Sequence, residues 1–123
     1  MNRLLLRLAR SSPGRLFVRW VFTTMSFAIP VKRLRETGTL MAFHHPQPGH
    51  PVHILLVSKQ PFSTLLDVPP DDADFLHDLF ETVQSLVREF SLERGGYRLI
   101  TNGGAYQDVP HLHFHLVADR LPL

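Results

Sequence analysis

The chain has 123 residues, enough for one domain with one real core, and no cysteine, which excludes disulfides and thiolate metal sites. Any zinc site is thereby narrowed to His and carboxylate ligands. The net charge of +2 hides an asymmetry: residues 1–35 hold eight basic residues and no acidic one, whereas residues 36–123 hold five basic and eleven acidic residues. The basic character belongs to the N-terminal segment, so the overall charge does not point to nucleic acid, and no nucleic-acid partner is expected.

Residues 1–25 read as a basic amphipathic arm. Arg3, Arg7 and Arg10 fall at i, i+4 and i+7, a single basic stripe beside Leu4, Leu5 and Leu8 if the segment is helical. Ser11-Ser12-Pro13-Gly14 breaks the pattern, and Leu16 to Phe22 follows as a second apolar piece, interrupted by Arg19 and too short to span a bilayer. Three roles are open for the arm: packing on the domain or on a second subunit, weak contact with a membrane surface, or a transit peptide. The expected compartment is the cytoplasm, with the mitochondrion as the alternative if residues 1–25 are a transit peptide.

Residues 26–123 read as one domain. Val31 to Glu36 predicts a short strand, and Thr37-Gly38 a turn. Thr39 to His44 predicts a second strand. Residues 45–51 contain three prolines and a glycine and are expected as a loop. Val52 to Ser58 is a hydrophobic run too short for a helix and suited to a central strand. Phe62 to Val68 is a connection. Pro69-Pro70-Asp71-Asp72 has the chemistry of a helix start, with Pro tolerated in the first turn and acids complementing the dipole. Phe75, Leu76, Leu79, Phe80, Val83, Leu86, Val87 and Phe90 then recur at steps of three and four, one buried stripe of a helix four to five turns long. Gly95-Gly96 is expected to end this element or the loop after it. Tyr97 to Asn102 reads as the fourth strand, Gly103-Gly104 as a turn, and His111 to Ala118 as the last strand.

That last strand carries the chemistry. In His111-Leu112-His113-Phe114-His115-Leu116-Val117 three histidines alternate with apolar residues. Successive side chains of a strand point to opposite faces, so Leu112, Phe114 and Leu116 are expected on a core and the three imidazoles on an open face. Aligned imidazoles suit metal binding, or phosphate chemistry with one ring as nucleophile and its neighbours as donors to phosphoryl oxygens.

The run His-φ-His-φ-His-φ-φ, with φ apolar, resembles the histidine triad family of nucleotide-binding hydrolases and transferases at every position. Its companions agree in order: Ala42-Phe43-His44, Pro51-Val52-His53 opening an apolar strand, an amphipathic helix, Asn102-Gly103, and Gln107 four residues before the triad. The resemblance covers roughly residues 27–119. It implies an α+β fold with a five-stranded, mainly antiparallel sheet and one long amphipathic helix, beside the N-terminal basic helical arm. It further implies a homodimer, a purine nucleotide substrate, and no metal or other cofactor in the nucleophilic step. His113 is then the nucleophile that attacks the phosphorus next to the nucleoside. His115 donates to a phosphoryl oxygen or the leaving group, and His111 buttresses the site. Asn102 and Gln107 match positions that hydrogen-bond the phosphates or leaving group, His53 a position near the nucleoside or the triad, and Phe43 a base-contacting position.

Two departures stand out. The family commonly has a carboxylate gripping the ribose hydroxyls where this chain has His45. The residue after Gln107 is usually Ser or Thr, a donor to phosphate, and here is Asp108, which when ionised only accepts. The implied activity is cleavage of a phosphoanhydride or phosphoramidate bond at a nucleoside 5′-phosphate, of the dinucleoside polyphosphate hydrolase or adenosine phosphoramidase type, through a covalent nucleotidyl-histidine. A nucleotidyl transferase or phosphorylase with the same intermediate is the alternative. A His-based zinc site and a non-catalytic nucleotide-binding scaffold are the readings from other classes.

Overall fold

The computed structural model describes residues 32–120. The arm over residues 1–25, the start of the first expected strand at Val31 and residues 121–123 lie outside the described residues. Five strands form one sheet: β1 (Arg33–Glu36), β2 (Leu40–His44), β3 (Val52–Ser58), β4 (Arg98–Ile100) and β5 (His113–Ala118), in the order β1-β2-β3-β5-β4 with every pairing antiparallel. Among the described residues one α-helix, α1 (Ala73–Glu89), connects β3 to β4. The expected α+β architecture is what folds.

Period-two alternation divides the sheet into two faces. Leu40, Ala42, Val52, Ile54, Leu56, Phe114, Leu116 and Ala118 share one core with Phe75, Leu79, Val83, Leu86 and Val87 of α1. Each is removed from water by the helix, at about 25 cal/mol per Å² of apolar surface. The opposite face carries Met41, Phe43, His53, Leu55, Val57, His113 and His115, alternating with core residues along β2, β3 and β5. The helix packs away from the histidines and leaves their face to chemistry.

Asp72 caps α1, its side chain accepting from the Phe75 N–H at 3.2 Å. The helix ends at Glu89, and Gly95-Gly96 closes the loop after it, the second of the two expected places. Ser91 takes a left-handed φ of 53°, its N–H bonds the Arg88 carbonyl, and the Leu92 N–H bonds the Val87 carbonyl. This is the paired bonding of a Schellman stop without a glycine. The cost of a left-handed Ser is offset by Leu92, whose buried side chain joins the core. One member of the expected apolar stripe is misplaced: Phe80 is 60% exposed, because it lies at the edge of the helix face that meets the sheet. The connection before the helix is also more ordered than expected. Leu65–Asp67 forms a 3-10 turn closed by a reciprocal capping box between Thr64 and Asp67.

Candidate active site

The strand expected from His111 begins at His113. Pro110 has no N–H to give the ladder, and the His111 N–H bonds the Val109 carbonyl in a tight turn. His111 therefore does not stand on the open face with the other two, as alternation alone suggested. It is buried at 0% exposure, and its Nε2 lies 2.6 Å from the Ser58 carbonyl, to which it donates. It is a buttress, and its own carbonyl is what reaches the site.

That carbonyl lies 2.7 Å from Nδ1 of His113. A carbonyl only accepts, so Nδ1 carries the proton and, in the neutral ring, Nε2 keeps a free lone pair. The tautomer required of a nucleophile is thus imposed by the chain two residues upstream. Thr101, just beyond β4, donates its hydroxyl to the His113 carbonyl at 2.9 Å and holds the backbone of the same residue from the other side.

A second tautomer chain runs through His115. The Gly49 N–H donates to His53 Nδ1 at 3.0 Å, so His53 carries its proton on Nε2. His53 Nε2 lies 2.9 Å from His115 Nδ1 and donates to it. His115 is left with its proton on Nε2, a donor on the same face as the His113 lone pair, the two ring centroids being 5.1 Å apart. Burial, followed by the neighbouring imidazoles, lowers both His53 and His115 to a pKa of about 4. Both rings are therefore neutral at pH 7, as the donor chain requires. Long-range nitrogen–proton NMR at pH 5.5 should show both as uncharged Nε2–H tautomers. Titration of either near its ordinary value, or an Nδ1–H form, would refute the chain. Because the unfolded chain binds more protons than these rings do, the pair contributes stability that is lost as pH falls from about 6.5 towards 4.

His45, directly after β2, joins the cluster. Its Nδ1 accepts from the Gln47 N–H at 2.9 Å, and its ring lies on His53, with centroids 4.4 Å apart and planes 32° apart. Burial first, with His113 among the further causes, lowers its pKa as well. His50 meets His53 edge-on and lies 3.4 Å from Asp119.

The remaining expected contacts are less direct. Gln107 donates its amide NH2 to the carbonyls of Ser63 at 2.7 Å and Val109 at 3.0 Å, tying the 3-10 turn to the segment before the triad. Both donors face protein, so in this arrangement Gln107 offers a phosphate none. Asn102 is exposed at the turn after β4. Phe43 is 4% exposed and packs with Met41, Val57 and Leu55 on the histidine face. Asp108 is exposed. The sequence reading missed Gly49, Ser58 and Thr101. Two of them act through backbone atoms, which leave no mark in residue type, and a strand-end Thr is ordinary.

Comparison with known proteins agrees with this fold. The HIT domain family matches residues 26–121. An uncharacterised HIT-like protein of Azospirillum brasilense is 36% identical over 95 residues, covering 75% of this chain and 78% of its own. Among solved structures, a HIT family hydrolase from Legionella pneumophila superposes with a TM-score of 0.71 at 30% identity, covering 80% of this chain and 90% of its own. A histidine triad nucleotide-binding protein from Candida albicans superposes at 0.66 and 29% identity, covering 81% and 71%. With the triad in register on β5 and the family match spanning most of the sequence, this chain belongs to the HIT domain family, the histidine triad proteins.

Proposed function

We propose that the protein is a hydrolase that cleaves a phosphoanhydride or phosphoramidate bond at the 5′-phosphate of a purine nucleoside, through a nucleotidyl intermediate on His113. The observation that carries this reading is the Nδ1 bond of His113 to the His111 carbonyl, which leaves Nε2 with an in-plane lone pair on the face of the sheet away from α1. In the first step Nε2 forms a bond to phosphorus as the bond from phosphorus to the leaving group breaks and its electron pair leaves with that group. The positive charge that develops on the His113 ring is held by the Nδ1–H bond to the carbonyl. His115 is neutral and acts as a hydrogen-bond donor through Nε2–H, to a phosphoryl oxygen or the departing atom, without giving up its proton. An amine leaving group takes its proton from solvent. In the second step water attacks phosphorus, the electron pair of the P–N bond returns to Nε2, and the proton of the water passes to solvent.

A substrate panel tests this: adenosine phosphoramidate, diadenosine polyphosphates and nucleoside diphosphate sugars, each with and without inorganic phosphate. Rapid quenching should trap a protein heavier by one nucleotidyl group on His113. Turnover that depends on phosphate as acceptor would favour the phosphorylase alternative. Chelator should leave the rate unchanged, because the Nδ1 lone pairs of His45, His53 and His115 already accept hydrogen bonds. Stoichiometric zinc whose removal abolishes turnover would replace this reading with the metal site.

The same reading includes a homodimer. The outer edge of β4 has no strand beside it among the described residues, and Tyr97, Leu99 and Phe80 are exposed there and on α1. Sedimentation should give twice the chain mass, and a monomer at micromolar concentration would remove this part. The same reading gives the arm over residues 1–25 a packing, membrane-surface or transit role, the last of which would place the protein in the mitochondrion rather than the cytoplasm.

A further inference from the structure

Asn102 and Gly103 join the end of β4 to the 3-10 turn Gly104–Tyr106. They are the one Asn-Gly pair of the chain, and its other asparagine, Asn2, precedes an arginine. Asparagine is a thermolabile residue, because its side-chain carbonyl carbon lies within reach of the next backbone nitrogen. A glycine after it leaves that nitrogen open to attack, having no side chain to block the approach and little backbone preference to resist it. Folded structure suppresses the reaction by burial or by hydrogen bonds to the reacting groups.

Neither protection operates here. Asn102 and Gly103 are both exposed and belong to no helix or strand. Among the described residues, the Asn102 amide and the Gly103 N–H have no hydrogen-bond partner. A Cβ built on Gly103 would meet no atom within 4 Å, so the space around the pair is open. The bonds that hold this stretch stop on either side of the Asn102–Gly103 peptide bond. The Thr101 hydroxyl donates to the His113 carbonyl at 2.9 Å, and the Gly103 carbonyl accepts from the Tyr106 N–H at 3.2 Å.

The pair also lies beside the chemistry. Ile100 pairs with His115 across β4 and β5. Carried on by two residues, that register sets residue 102 beside residue 113, and the Thr101 bond to the His113 carbonyl keeps the two segments together there. Cross-strand partners share a face, as do side chains two apart, so Asn102 continues the face of Ile100, His115 and His113. We propose that Asn102-Gly103 is a self-modification site, at which loss of the Asn102 amide sets a carboxylate beside His113 and weakens the hold on an anionic substrate. The modification is independent of the nucleotide reading above, and its consequence rests on that reading.

The steps need no co-reactant but water. The Gly103 nitrogen gives up its proton and bonds to Cγ of Asn102. The bond from Cγ to Nδ2 breaks, its electron pair leaves with the nitrogen, and ammonia departs with the proton. Water then opens the cyclic imide. Attack at Cγ restores the main chain with aspartate at residue 102. Attack at the main-chain carbonyl carbon of residue 102 leaves isoaspartate, with an extra methylene in the backbone. Either product carries a negative charge where the amide was neutral.

Timed incubation of the full chain at neutral pH tests the modification, followed by peptide mass spectrometry and enzymatic methyl labelling of isoaspartate. Residue 102 should become an acid, with isoaspartate the larger product and one ammonia released for each chain converted. Gly103→Ala fits the fold, since φ there is −131° and the space is open. It should slow conversion about tenfold or more. If Asn102 stays intact in the folded chain while a sample in guanidinium is converted, the fold protects it and the proposal is overturned. Calorimetric titration with adenosine 5′-monophosphate reads the consequence. The aged protein and Asn102→Asp should both bind about tenfold more weakly than fresh protein, the effect of one added like charge at short range. Added salt should narrow that gap. Asn102→Ala, which loses the amide without gaining charge, should fall in between. Asn102→Asp binding as tightly as fresh protein, or Asn102→Ala binding as weakly as Asn102→Asp, would remove the carboxylate as the cause and overturn the consequence. If fresh protein binds no nucleotide, the nucleotide reading fails and takes the consequence with it, while the mass readout still decides the modification.

Discussion

Replacement of His113 by alanine should lower kcat by about four orders of magnitude, the scale seen when a catalytic nucleophile is removed, while nucleoside monophosphate binding stays within a few-fold. The reason is local. Within the cluster only His113 has Nδ1 bonded to a carbonyl and, in the neutral ring, a lone pair left on Nε2. The other rings of the cluster, His115, His53 and His45, have their Nδ1 atoms accepting and their Nε2 atoms protonated, so none can substitute as nucleophile. Steady-state rates and monophosphate titration on the same preparation make the comparison. More than about a tenth of the wild-type kcat would be far above what loss of a nucleophile allows and would sink the assignment.

His111→Ala should do the opposite, costing stability more than chemistry. It deletes a fully buried ring and leaves the Ser58 carbonyl without its donor, a loss of about 2–4 kcal/mol from cavity and hydrogen bond together. For a domain of this size that corresponds to a fall in Tm of roughly 10–25 °C. His111→Gln should recover part of it, because an amide N–H can donate to the same carbonyl. The group that positions His113 is the backbone carbonyl of residue 111, which alanine also has, so kcat measured well below the melting range should stay within about tenfold. A well-folded His111→Ala protein as inactive as His113→Ala would place the ring itself in the chemistry. The two substitutions, two residues apart in the same motif, thus separate a nucleophile from a buttress.

The pattern of the chain was enough to determine the class of fold and the family to which the triad belongs. The short hydrophobic run of Val52 to Ser58, the alternation in His113 to Ala118, the three-four spacing from Phe75 to Val87 and the prolines of the 45–51 loop are each local signals. Their periods match those of the elements they form, because side-chain direction in a strand or helix is set by backbone geometry alone. The triad was legible for the same reason, down to His113 and His115 sharing a face. Helix termination was less so: the stop at Ser91 depends on burying Leu92, a tertiary gain that outweighs the local preference for glycine.

What only the tertiary structure decided is the role of each imidazole. Three histidines at strict period two look equivalent in sequence. They part company because Pro110 delays the strand by two residues, so that one ring is buried against Ser58 and two remain on the face. The protons on the rings are then assigned by partners 2, 4 or more than 50 residues away: the His111 carbonyl for His113, the Gly49 N–H for His53, His53 for His115, and the Ser58 carbonyl for His111. Backbone donors and acceptors are the same at every residue, so no residue type announces which of them will meet a given nitrogen. That depends on strand register and loop path, and here register and path leave one histidine with a free Nε2 lone pair, one with an Nε2–H donor and one buried against a carbonyl.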